Sequence, residues 1–406
     1  MEKKVPEIRF HGFGGEWEDL VLGGNARFTK GQGYSKGDLV ASGSPIILYG
    51  RLYTNYQTVI TGVDTFVNEQ AKSIKSTGGE VIVPASGESP EDISRASVVN
   101  EPNVILGGDL NVIYPNKKID STFLALAISN GRIKNELSTK AQGKSVVHIR
   151  NSDLASLNLI LPGVPQEQIQ IGSYFQKLDS LINQHQQKHD KLSHLKKAML
   201  VKMFPKQGET VPEIRFKGFS GDWELRRLSE LTDYANGKGN EDKQKTSGKY
   251  ELINLNSISI GGGLKPSGKF IDESNRTLEK NDLVMVLSDV GHGDLLGRVA
   301  LIPKSNTYVL NQRVALLRTF GEVCPLFLLY NINAHQFYFK KQGAGMSQLN
   351  ISKGAVENFS SFIPKREEQI AIGNYFRKLD ALINQHQQQI TKLNNIKQAC
   401  LSKMFV

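Results

Sequence analysis

The chain writes its frame twice. Residues 5–18 read VPEIRFHGFGGEWE and residues 211–224 read VPEIRFKGFSGDWE. Residues 167–204 and 368–405 align without a gap, with 25 identities in 38 positions. The stretches between the copies, 19–160 and 225–362, barely resemble each other. Two units of about half the 406 residues each are therefore expected. The period is far too long for a solenoid repeat and implies internal pseudo-two-fold symmetry, one scaffold carrying two different inserts.

The longer repeat fixes its own conformation. Ile171, Phe175, Leu178, Ile182, His185, His189, Leu192, Lys196, Met199 and Met203 follow a 4-3-4-3 spacing. So do Ile372, Phe376, Leu379, Ile383, His386, Ile390, Leu393, Lys397, Cys400 and Met404. This is a heptad seam, and Pro165 and Pro364 stand where helices start. Each helix would reach roughly 58 Å at 1.5 Å per residue. Nearly everything off the seam is polar, so each rod needs a partner, and the other copy is the natural one in an antiparallel coiled coil. Phe175, Leu178, Ile182 and Leu192, with Phe376, Leu379, Ile383 and Leu393, are the expected pairing or partner-docking residues. Polar seam positions fix register at a cost in stability. His185-x-x-x-His189 has metal-ligand spacing, but the second copy carries Ile390, so a register-setting role is preferred and no metal is expected.

The shorter repeat has no helical period, and Pro6 and Pro212 favour extended backbone. Trp17 and Trp223, the only two tryptophans, occupy equivalent places as core anchors or as partner contacts. In the inserts, residues 46–49, 81–83, 104–106 and 283–287 read as strands between turn residues. Residues 120–129 and 325–336 read as short helices. The expected fold class is mixed α/β: two globular domains, 1–160 and 206–362, separated by helical segments 161–205 and 363–406.

Composition narrows the setting. A net charge of +10 favours an anionic partner. Two cysteines at non-equivalent positions argue against a disulfide framework and fit a reducing cytoplasm. The first residues lack the apolar core of a signal peptide, and no apolar run suits a membrane span.

Catalytic signatures fail. Phe10-x-Gly12-x-Gly14 imitates a methyltransferase cofactor loop, but no strand precedes it and the repeat has Ser220 at the last position. Gly143-Lys144-Ser145 imitates the end of a phosphate loop, but Ser138 replaces the expected glycine. Glu241-x-Lys243 lacks the upstream Pro-Asp of a nuclease. No His/Ser/Asp set recurs in both halves, so no catalytic residue is assigned.

A different pairing is informative. Gly143-Lys144-Ser145-Val-Val-His148-Ile149 and Gly345-Met-Ser347-Gln348-Leu-Asn350-Ile351 share Gly, Ser and Ile and differ between them. A recognition loop would look like this, with shared backbone and changed side chains suited to bases and phosphates. A strand-and-turn docking each domain on its helix would look the same. Further candidates for DNA contact are Lys30, Gln32, Tyr34, Lys36, Tyr49, Arg51 and Tyr53 in the first insert. In the second they are Lys238, Lys243, Lys245, Ser288, His292, Gln312 and Arg313.

On these residues the whole chain resembles the specificity subunit of type I restriction–modification systems. The resemblance rests on EQxIxIGxYFxKLDxLI at 167–182 and 368–383, the KMF endings, the GxSxxxI segments and the VPEIRF headings. It implies that each insert is a target recognition domain for one half of a bipartite double-stranded DNA site, and that the helices set the unread spacer. It also implies docking of two methyltransferase subunits, which carry S-adenosylmethionine, and of restriction–translocase subunits using ATP and Mg. This chain itself would hold no cofactor. Two other classes remain: a non-catalytic assembly scaffold whose variable domains bind protein, and a methyltransferase carrying its own recognition domain.

Overall fold

The structure is a computed structural model and describes residues 4–143, 146–206, 208–345 and 348–406. It divides into two compact units, Met1–Gln186 with Gln388–Val406, and Gln187–Gln387. The division falls within both long helices, Pro165–Lys202 and Arg366–Lys403. Each unit therefore contains the first half of one helix and the second half of the other.

In the first unit, Tyr174 meets Cys400 and Asp179 pairs with Lys397. Residue numbers rise on one helix as they fall on the other, so the two segments run antiparallel. In the second unit Lys196 pairs with Asp380 and Phe204 stacks on Phe376, again antiparallel. The heptad seam is the least exposed stripe of both helices, from Ile171 to Met203 and from Ile372 to Met404. Phe175, Leu178, Phe376 and Leu379 are buried in the cores of their units, whereas Ile182, Leu192, Ile383 and Leu393 are half-buried.

The inserts share a topology that their sequences conceal. The first has a five-stranded sheet in the order Ala26–Lys30, Leu110–Pro115, Glu80–Pro84, Ser97–Val99, Val59–Ile60. The second has Thr232–Asn236, Val314–Thr319, Leu283–Val286, Val299–Leu301 in the matching order. Both inserts add a smaller sheet built on a parallel pair, Ser44–Ile47 with Ile105–Leu106 and Tyr250–Ile253 with Tyr308–Leu310. Both close by pairing their ends, Glu18–Val21 with Asn158–Leu161 and Glu224–Arg227 with Ser360–Ile363.

A helix lies over each main sheet, Ser121–Ser129 and Pro325–Ala334. The first starts where the Asp120 carboxylate accepts the Phe123 amide at 2.8 Å, satisfying an orphan donor of the first turn. Burial on nearly all sides explains why these segments read as apolar runs without a polar face.

The repeated frame is a set of locks between its own parts. Arg9 Nε and Nη2 donate to the two oxygens of Glu167 at 2.6 and 2.7 Å. Arg215 does the same to Glu368, at 2.7 Å for both bonds. The Gln168 amide bridges the Asp120 N–H and the carbonyls of Lys118 and Pro162, and Gln369 bridges Cys324 N–H and the Pro364 carbonyl. Both tryptophans are buried, Trp17 edge-on to Phe123 and Trp223 edge-on to Phe327, which settles them as core anchors. The KMF endings fill the cores: Phe405 stacks on Phe123 in the first unit, and Phe204 on Phe376 in the second.

Candidate nucleic-acid interface

The described residues of the GxSxxxI segments are bonded in the same way in both units. In the first, His148 pairs across to Gln142, and Ile149 N–H donates to the Ala85 carbonyl. In the second, Asn350 pairs with Ala344, and Ile351 N–H donates to the Leu287 carbonyl. Gly143 and Gly345 have φ of +150° and +137°, and an added Cβ would collide with the carbonyl oxygens of Val146 and Gln348. Only glycine fits this backbone without strain. Ile149 and Ile351 are buried and anchor the far end. Lys144, Ser145 and Ser347 lie outside the described residues.

Each loop then pairs with a two-residue strand that sequence reasoning half missed. Val147–His148 lies antiparallel to Ser86–Gly87, with His148 opposite Ser86. Leu349–Asn350 lies antiparallel to Ser288–Asp289, with Asn350 opposite Ser288. The Ser86 hydroxyl lies 3.1 Å from His148 Nδ1, and the Ser288 hydroxyl donates to Asn350 Oδ1 at 2.5 Å. Both contacts join residues 62 apart in sequence. That constant separation is the signal by which Ser86 stands as the counterpart of Ser288, and no local motif announces it.

The other candidates divide into exposed and committed side chains. Lys30, Gln32, Lys36, Tyr49, His148, Lys238, Lys243, His292, Arg313 and Asn350 are exposed. Gln348 is half-buried. Tyr34 is half-buried at φ +60°, its hydroxyl 2.5 Å from Ser73 Oγ, and it lines a shallow groove with Gln32, Gln70 and Lys72. Arg51 is turned into its own domain, ion-paired with Asp64 at 2.5 Å and donating to the Gly62 carbonyl. The Tyr53 hydroxyl donates to the Ser86 carbonyl at 2.8 Å, and burial raises its pKa, so it remains a neutral buttress of the Ser86–His148 pair. Lys245 pairs with Asp272, and Ser288 is buried beneath Asn350. Gln312 donates to Glu241, and Asn240 N–H donates to Asn311 Oδ1, which brings Lys238 and Lys243 to the same edge as Arg313.

Two domains of one topology, each presenting a glycine-closed loop on a duplicated helical frame, define the class of protein. The family model for the type I restriction modification DNA specificity domain matches residues 15–194 and again 220–395. The chain belongs to that family. It is 25% identical over 190 residues to the MjaVIII specificity subunit of a type I restriction enzyme from Methanocaldococcus jannaschii. That match covers 45% of this chain and 42% of the relative, less than half of its length. The fold is similar to the crystal structure of a type I restriction–modification S subunit from M. genitalium, with a TM-score of 0.63, 16% identity and 99% coverage of both chains. A structure from a study of type I restriction–modification complex assembly and conformational transition gives a TM-score of 0.51 at 16% identity, over 95% of this chain and 97% of the other.

Proposed function

We propose that this chain is the non-catalytic DNA-specificity subunit of a type I restriction–modification complex. Residues 1–160 and 206–362 act as target recognition domains, each reading one half of a bipartite site, and segments 161–205 and 363–406 set the spacer between them. The observation that carries this reading is the duplicated loop. In a chain of the specificity-domain family, Gly143 and Ile149 match Gly345 and Ile351 in backbone conformation and hydrogen bonding, while His148 and Asn350 differ at equivalent, exposed positions. A scaffold held constant under changed polar side chains is what reading two different sequences requires. The net charge of +10 supplies the sequence-independent attraction to phosphates.

The partners under this reading are double-stranded DNA, two methyltransferase subunits and the restriction–translocase subunits. S-adenosylmethionine belongs to the methyltransferase and ATP with Mg to the translocase. A cytoplasmic setting follows from those partners. No helix among the described residues is long and apolar enough to cross a membrane.

The test is a genome-wide map of methylated adenine in cells with and without this gene, the methyltransferase gene retained. Loss of one split motif on deletion is expected. An unchanged set of split motifs overturns the reading in favour of a protein-binding scaffold.

A further inference from the structure

Each insert holds one exposed, charged residue in left-handed backbone at the start of a central strand, beside its loop. Outside glycine, the described residues with φ between +56° and +72° are Tyr34, Asn103, Asp109, Asn281, Asn306 and Arg313. Asparagine and aspartate enter this region readily, because a short polar side chain can bond locally. Tyr34 is accounted for within its own domain, since its hydroxyl accepts the Gln70 amide at 2.7 Å and meets Ser73. Arg313 has no such explanation. It is exposed, and among the described residues its side chain makes no hydrogen bond or ion pair. A long side chain held in this conformation without a local partner marks a position that is used.

Arg313 has a counterpart in the first insert. Asp109 stands at φ +58° and Arg313 at φ +66°, each immediately before its strand, Leu110–Pro115 or Val314–Thr319. The Asp109 carbonyl accepts the Ala85 N–H at 2.7 Å, and the Arg313 carbonyl accepts the Leu287 N–H at 2.9 Å. The Ala85 and Leu287 carbonyls in turn accept the N–H groups of Ile149 and Ile351, at 3.1 and 2.9 Å, which end the two GxSxxxI loops. Three neighbouring backbone segments are thus bonded in the same order in both units. Such segments lie about 4.8 Å apart, so Asp109 or Arg313 stands roughly 10 Å from the end of its loop, about three base-pair steps. Asp109, like Arg313, is exposed and has no side-chain partner among the described residues.

We infer that Asp109 and Arg313 are base readers of opposite polarity, Arg313 donating to a guanine in one half-site and Asp109 accepting from the amino group of a cytosine in the other. The inference rests on the function proposed above. A guanidinium offers its donors in a planar fork that fits guanine O6 and N7 in the major groove, and a carboxylate accepts from cytosine N4. A phosphate contact would call for cations at both positions, because an aspartate is repelled by the DNA backbone. The reversal of charge at one backbone position therefore favours base edges over phosphates. The shared left-handed backbone gives both side chains the same point of departure, and only their donor or acceptor character changes between the half-sites.

The test uses the complex of this chain with its cognate methyltransferase, read by a methylated-adenine map and by binding to duplexes carrying the split motif. Asparagine is the replacement at both positions, because it tolerates left-handed backbone and removes the charge. Arg313→Asn is expected to relax one guanine position in one half-site and to weaken binding roughly ten-fold. The other half-site and the midpoint of thermal unfolding should stay as they were. Replacing that guanine by 7-deazaguanine, which removes N7, should weaken binding by the wild type and not by the Arg313→Asn variant. Asp109→Asn is expected to relax one cytosine position in the other half-site alone. Weaker binding to all duplexes alike, with a shallower salt dependence, marks a phosphate contact and overturns the inference. A motif left intact by both substitutions overturns it as well. A wild-type complex that methylates no split motif overturns instead the function on which the inference rests.

Discussion

Removing the Glu167 carboxylate tests whether the frame is held by its buried locks. Glu167 is 1% exposed and takes both of its strong bonds from Arg9, whose side chain is 15% exposed. Breaking one partner of a buried pair costs about 3–5 kcal/mol because the remaining charge is left without compensation. Arg9 keeps a bond to the Gly15 carbonyl at 2.5 Å and some contact with water, so the low end, about 3 kcal/mol, is expected for Glu167→Ala. For a unit of this size that corresponds to roughly 6–12 °C in the midpoint of thermal unfolding. The assay is calorimetry on wild type, Glu167→Ala, Arg9→Ala and the double variant. The double variant should be more stable than the sum of the two single losses predicts, by about 1–3 kcal/mol. A loss below about 1 kcal/mol for Glu167→Ala, or strict additivity, would refute a coupled buried lock. Glu368→Ala, at the equivalent place against Arg215, should act alike on the second unit.

Further outcomes follow from other parts of the structure. Phe204→Ala empties a site enclosed by Trp223, Phe327, His335 and Phe376, and should cost about 3–5 kcal/mol in calorimetry. Phe405→Ala should cost less, since Phe405 is only partly buried. Gly345→Ala forces a β-carbon against the Gln348 carbonyl and should weaken recognition of one half-site in a methylation map while leaving the other intact. His335 is half-buried beside Phe204 and Phe359, and the loss of water around it lowers its pKa below the ordinary value. On acidification the unfolded chain takes up this proton first, near pH 6.5. The His335 contribution to stability is therefore complete above that pH and declines as pH falls toward the lower folded pKa. His335→Gln should flatten the stability profile below about pH 6.5 in a thermal-shift series, and an unchanged slope would contradict this.

The frame was legible because it is written twice. The 4-3-4-3 spacing places Ile171 through Met203 on one stripe, and the stripe is the protected side of the helix. Gly143 and Gly345 were legible as backbone requirements, which their positive φ bears out. What no residue disclosed is the common topology of the inserts. Leu110–Pro115 and Val314–Thr319 hold equivalent central positions in their sheets with different side chains, because a pleated, two-sided core accepts many aliphatic combinations of the right volume. Nor did the sequence disclose which side chains are bound within their own domain. Arg51 and Lys245 read as free cations, yet each has an acidic neighbour, Asp64 or Asp272, supplied by a distant loop.

The most direct measurement is an exchange of residues 225–362 for the corresponding insert of a relative with a known split site, read by genome-wide mapping of methylated adenine. One half-site should change to the donor's sequence, while the other half-site and the spacer length stay as they were. A change in both half-sites, or in neither, would contradict the account of one frame carrying two independent readers.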